Sequence, residues 1–259
     1  MGRFNSSKTR VAPVFNALLT RDPTGQTWLP RLVMLGSRSS SIAGISDVGA
    51  LPGDHPAWWG RNERGFRPPV ALLRWLVRNA SEPASLRAWG AETTRRRRKL
   101  LVRRDPKTVQ QALELLDGKI PRRAWYVLEG ESRPDACLQT DRILLVAEGK
   151  RTEPKGTTTT TWMKHRDQLV RHMDAAWEVR GSKRVLGLLI VEAEQPDQMP
   201  REWVGEADAQ FSRSNLASSL PHRTSQERDA IGAGFLGTTT WQMVCRELGL
   251  LWPPGADTP

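Results

Sequence analysis

Asp135, Glu148 and Lys150 are the residues whose types and spacing suit the hydrolysis of a phosphodiester. They frame a stretch from Arg133 to Glu153 that reads as two strands joined by a tight turn. Successive side chains of a strand point to opposite faces. Any even-length turn therefore sets Asp135, Glu148 and Lys150 on one face. A Thr140-Asp141 turn puts Asp135 opposite Val146 and diagonal to Glu148. An Asp141-Arg142 turn puts it directly opposite Glu148. Cross-strand neighbours lie about 5 Å apart and diagonal ones about 7–8 Å. Two carboxylates that close repel unless a cation sits between them. Mg²⁺, or Mn²⁺ in its place, takes oxygen ligands in near-octahedral geometry and keeps several waters. Asp135, Glu148 and a backbone carbonyl, that of Gly149, leave positions for water and a phosphate oxygen. Such an ion lowers the pKa of its water and offsets charge on the phosphorus under attack. Lys150 is placed to orient or deprotonate that water and to stabilise developing negative charge. The apolar run Ile143–Ala147 leads straight into Glu148, and an acid at the end of a buried strand costs several kcal/mol without a partner or metal.

The elements that must position these residues follow from pattern. Asp105-Pro106 supplies an N-cap and a first-turn proline, Gly118 a stop, and Val109, Ala112, Leu113 and Leu116 one apolar stripe, so a helix is expected there. Residues 124–132 read as a first strand, "DACLQT" and "RILLVAEGK" as the second and third. Residues 162–179 read as an amphipathic helix with Asp167, Asp174 and Glu178 pointing away from its apolar face. The near-continuous apolar run 184–193 reads as a strand covered on both faces. Short loops favour an antiparallel meander of the first three strands, and the intervening helix permits a parallel fourth. Upstream, residues 11–22, 68–79 and a start at Ser81 read as helices, with a Ser/Gly/Pro-rich loop over 37–56. Downstream, Thr224-x-x-Glu227 is a capping box, and Thr238–Thr240 read as the start of a last helix.

Pro134-Asp135 and Glu148-Gly149-Lys150, with twelve residues between them on a hairpin, resemble the signature of the PD-(D/E)XK nuclease superfamily. The resemblance covers residues 105–193. It implies an α/β fold with a restriction-endonuclease-like core, an α-β-β-β-α-β mixed sheet flanked by helices, with N-terminal and C-terminal helical additions. Residues 1–92 would form a helical N-terminal region and 93–259 the nuclease-like domain. Several branches carry a Gln on the helix after the third strand and a Tyr four residues later. Gln168 holds the first place and would position water or the substrate strand, while His172 stands at the second. Some members add an acid from the first helix; Glu114 falls on the solvent side, and Glu129 and Glu131 are better placed to complete an acidic cluster.

The net charge of +11, from 39 Lys and Arg against 28 Asp and Glu, suits a polyanion partner. Seven cations crowd residues 95–104. Arg95, Arg96, Arg97, Arg98 and Lys99, with Arg151 and Lys155 past the hairpin, are the candidate phosphate contacts. Cys137 and Cys245 sit in apolar runs and read as buried thiols of a reducing compartment. No secretory signal or membrane span is visible, and the cytoplasm is the expected location. The expected activity is metal-dependent hydrolysis of DNA, with RNA not excluded and a homodimer left open. The alternative is a nuclease-like fold that binds nucleic acid without cutting it.

Overall fold

The computed structural model describes residues 6–83, 86–151, 162–163, 165–195 and 198–253. An opening helical turn, Ser7–Val11, runs into α1 (Ala12–Arg21), followed by α2 (Leu29–Met34). A two-residue strand, β1 (Trp58–Trp59), precedes α3 (Val70–Asn79), α4 (Glu92–Val102) and α5 (Pro106–Leu115). The hairpin is β2 (Ala136–Gln139) and β3 (Ile143–Gly149). Then come α6 (Gln168–Val179), β4 (Arg184–Val191), α7 (Arg201–Gln210), α8 (Arg213–Ser219), α9 (Ser225–Ala233), β5 (Phe235–Thr240) and α10 (Trp241–Glu247). The five strands form one mixed sheet in the order β1-β2-β3-β4-β5. β1 to β3 are antiparallel neighbours, and β4 and β5 continue parallel to β3. The class is α/β, with helices on both faces.

β3 is buried along its whole length. Its Ile143, Leu145 and Ala147 face a core built with α1, α2 and α10, where Phe15, Leu18, Leu32 and Trp241 lie. Its Leu144 and Val146 face the opposite core, with Leu169, Val170 and Met173 of α6. A third cluster gathers α3, α4 and α5 around Leu73, Leu76, Leu101, Trp125 and Tyr126. Elements of residues 1–92 thus enter more than one core, and α1 packs directly on the sheet. No described helix is long and apolar enough to cross a membrane. Both cysteines are buried thiols, as expected.

Four sequence expectations need correction. Residues 124–132 are not a strand. Trp125–Leu128 are buried in the third cluster, and Ser132 makes only an isolated bridge to Phe66. Period-2 alternation was read where a continuous apolar run serves a helical core. The place beside β2 belongs to Trp58–Trp59 instead. The amphipathic helix starts at Gln168, not 162, because the Asp167 carboxylate accepts the N–H groups of Leu169 and Val170 at 2.7 and 3.2 Å. Thr238 and Thr239 belong to β5; only Thr240 caps α10, through the Met243 N–H at 3.1 Å. The start expected at Ser81 gives way to a short 3-10 turn, Leu86–Trp89. The Asp105 cap and the Thr224–Glu227 capping box form as read.

One buried ion network joins three segments of the fold. Arg166, fully buried, donates to both oxygens of Glu129, to Asp174 Oδ2 at 2.7 Å and to the Ser219 carbonyl at 3.0 Å. Arg223 Nε donates to Asp174 Oδ1 at 2.8 Å. Asp174, expected to face solvent, is therefore at the centre of a salt-bridge cluster. Burial alone would raise its pKa, but Arg166, His222 and Arg223 hold it below the usual carboxylate range. Arg166→Met leaves Glu129 and Asp174 short of a partner. It is expected to lower stability by roughly 3–5 kcal/mol in urea unfolding; a loss under about 1 kcal/mol would contradict this role.

Candidate active site

The β2–β3 pairing selects the second of the two registers open to the sequence. Ala136 pairs with Ala147 and Gln139 with Leu144. The Thr140 N–H donates to the Ile143 carbonyl at 3.0 Å, so the turn is Asp141-Arg142. Continued one step, this register sets Asp135 opposite Glu148. Side-chain alternation puts Glu148 and Lys150 on the α6 face, with Leu144 and Val146.

Glu148 is almost fully buried, and both of its oxygens are occupied. Lys150 Nζ donates to Oε1 at 2.8 Å, and His172 Nε2 meets Oε2 at 3.0 Å. Lys150 also donates to Gln168 Oε1 at 3.1 Å. His172 Nδ1 lies 2.6 Å from the hydroxyl of Ser132. Asp135 Oδ2 accepts the Gly149 N–H at 2.9 Å. A single patch therefore gathers Asp135, Glu148, Gly149, Lys150 and Gln168.

Gly149 is required by packing. A Cβ there would stand 2.8 Å from Cζ2 of Trp241 and 3.0 Å from Cγ2 of Val11. The Trp241 indole lies against the strand end and donates to the Lys150 carbonyl at 3.2 Å. The Lys150 N–H and carbonyl bond to β4 and the residue after it, Ile190 and Glu192. The strand end is thus held by packing and by backbone hydrogen bonds.

The two acids are in different electrostatic states. Burial would raise Glu148, but the His172 hydrogen bond and the Lys150 ammonium hold it below the usual range. Asp135 is pushed up to about 7, first by burial and then by the charge of Glu148, with the Gly149 N–H opposing. Glu63 adds to the upward push. Asp167, whose carboxylate caps α6, is raised by burial. Lys150 and Gln168 line a cleft against α7, together with Trp203, Glu206 and Gln210. Among the described residues no group of three or more His, Cys, Asp and Glu side chains is arranged to hold a metal. The candidate donor set is two carboxylates and a backbone carbonyl.

Other expected residues are distributed more widely. Arg95, Arg96, Arg97 and Lys99 are exposed on α4, with Arg95 3.5 Å from Glu92. Arg98 is turned inward and donates to the carbonyls of Trp125 and Ala124 at 3.0 and 3.2 Å. Its stem belongs to the third cluster rather than to a phosphate surface. Arg151 is half-buried and pairs with Glu192 at 3.1 Å. Lys155 lies outside the described residues. Glu114 is exposed, as expected. Glu129 and Glu131 do not join the acids: Arg166 takes the first, Arg122 and Arg133 the second. His165 is exposed and precedes the helix.

Ser132, Glu63 and Asp167 were missed by sequence reading. Ser132 fell inside the strand expected over 124–132, where nothing marks it. Glu63 lies about seventy residues upstream in a loop, beyond the reach of any spacing rule. Asp167 carries the signal of a cap, an Asp directly before the apolar stripe of Leu169, Val170 and Met173. The chain matches no family model, no curated protein and no solved structure.

The Asp135 shift carries a pH dependence. Its folded value of about 7 lies above the 3.8 of an exposed Asp, so the folded chain binds this proton more tightly than the unfolded one. Stability from this group is complete below about pH 4 and is lost as the pH rises through about 7. Asp135→Asn is expected to remove that decline and to gain a few kcal/mol over wild type above pH 7. Urea unfolding in EDTA at pH 5 and pH 8 measures it; parallel pH profiles for the two proteins would refute the shift.

Proposed function

We propose that the protein is a metal-dependent nuclease that hydrolyses phosphodiester bonds of DNA on a restriction-endonuclease-like core of the PD-(D/E)XK type. The β2–β3 register carries this reading. It brings Asp135 opposite Glu148, with the Lys150 amine in contact with both Glu148 and the Gln168 amide. The order α5, β2, β3, α6, β4 is compatible with such a core, although the strand beside β2 comes from Trp58–Trp59.

The donor chemistry fits a hard divalent cation. Asp135 is an acid held near neutrality by burial and by a second carboxylate, and a cation can replace its proton. Asp135, Glu148 and the Gly149 carbonyl would hold Mg²⁺ or Mn²⁺. When bound, the ion would supply Lewis-acid stabilisation of phosphate charge and a more acidic water. A carboxylate has about four lone-pair sites, so Glu148 keeps capacity beyond its two present bonds. Lys150, in reach of Gln168, would orient the attacking water and stabilise developing charge. The exposed Arg95, Arg96, Arg97 and Lys99 of α4 would contact the phosphate backbone without reading sequence. RNA carries the same phosphates and is the second substrate to assay.

Binding without cleavage is the competing reading. It draws on one observation: Lys150 and His172 already occupy both oxygens of Glu148. In a cleavage assay, wild type is expected to cut DNA with Mg²⁺ and to stop in EDTA. Asp135→Ala and Lys150→Ala should each slow cutting at least ~100-fold while binding persists. Unchanged cutting in both variants, or binding by a wild type that never cuts, would reject the catalytic assignment. Separately, Arg96→Ala should weaken DNA affinity uniformly across sequences and reduce the log–log salt slope by about one. An unaltered slope would remove α4 from the interface.

A further inference from the structure

We propose that Ser132 and His172 form a hydrogen-bond relay that orients Glu148, so that Ser132–His172 is the lasting partner of this carboxylate and Lys150 the exchangeable one. The inference rests on the nuclease reading for its purpose but not for its geometry.

The geometry assigns the protons. Glu148, as a carboxylate, only accepts, so Nε2 of His172, 3.0 Å from Oε2, carries a hydrogen. Ser132 is 1% exposed. Among the described residues its hydroxyl has His172 Nδ1, at 2.6 Å, as its one hydrogen-bond partner. A buried hydroxyl hydrogen with nowhere else to go is satisfied only by donating. Nδ1 is then the acceptor, and the hydrogen directed at Glu148 lies on Nε2. Ser132 is itself held in place, because its N–H and carbonyl exchange hydrogen bonds with Phe66 at 2.8 Å each. The ring is fixed from the other side by α6, whose first turn is anchored by the Asp167 cap.

This donor has a particular consequence for Glu148. It fixes the rotation of the carboxylate and satisfies one oxygen. The other oxygen stays directed at the Lys150 amine. Lys150 has a second partner in Gln168 and can release Glu148 to a cation without losing all its contacts. His172 is thus a positioning residue, and Ser132 acts through it. This is the arrangement by which outer partners orient ligands and set metal affinity.

The test uses the full chain, ¹⁵N-labelled, in EDTA at pH 8. Long-range ¹⁵N–¹H correlation spectra read the His172 tautomer. Wild type should show the ring hydrogen on Nε2, with Nδ1 accepting from Ser132. Ser132→Thr should retain that form, and Ser132→Ala should lose it. In cleavage assays Ser132→Ala should raise the Mg²⁺ concentration for half-maximal rate by roughly tenfold, with the saturated rate unchanged and with rescue by Ser132→Thr. A ring protonated on Nδ1 in wild type, or a tautomer indifferent to Ser132→Ala, overturns the relay. A wild type with the expected tautomer that cuts nothing leaves the relay standing and rejects the nuclease reading instead. Should Ser132→Ala fail to fold, His172→Gln, which keeps a donor at similar reach, must bind Mn²⁺ more tightly than His172→Leu; equal affinities overturn the relay.

Discussion

A negative charge at the end of a strand buried on both faces is the constraint on which the site depends. Glu148 follows five apolar residues of β3 and is itself 3% exposed. A carboxylate there is tolerable only with charge-assisted partners of good geometry. The fold supplies them from two directions: an amine two residues along the same strand and an imidazole from α6. The strand end cannot move to relieve the charge. Trp241 presses on Gly149, and the Lys150 backbone is bonded to β4. Asp135, one residue before the neighbouring strand, is pushed up to about 7 by burial and by the charge of Glu148.

The same logic orders the surroundings. Arg166 draws Glu129, Asp174 and the end of α8 into one network. That network fixes α6, and α6 carries Gln168 and His172. Acids near the site in sequence are thereby withdrawn from it and neutralised, so the patch around Asp135 and Glu148 is not a general acidic surface. Exposed positive charge lies elsewhere, and four of its cations, Arg95, Arg96, Arg97 and Lys99, stand together on α4.

Much of this was legible before any coordinates. Period-2 alternation and a short turn placed Asp135, Glu148 and Lys150 together, because a hairpin is a local structure whose register depends on its own turn. The parallel β4 was legible from the continuous apolar run after a helix. The first strand was not. Trp58–Trp59 pair with β2 across more than seventy residues, and two residues carry no period. β5 was hidden because Thr238–Thr240 resemble a cap, and one of them is. Asp174 was misjudged because a helical wheel ranks faces by hydrophobicity, whereas Arg166 buries this acid through pairing. Ser132 and Glu63 meet the site only through tertiary contacts. Arg98 shows the limit of reading a charge run as a surface, since one guanidinium of the run holds backbone carbonyls inside.

The most direct measurement is anomalous diffraction from crystals soaked in Mn²⁺. The account requires a single strong peak between the carboxylates of Asp135 and Glu148, with the Lys150 amine moved toward Gln168 and the His172 contact retained. A difference map with no peak there, and the Lys150–Glu148 bond intact at saturating metal, would contradict it.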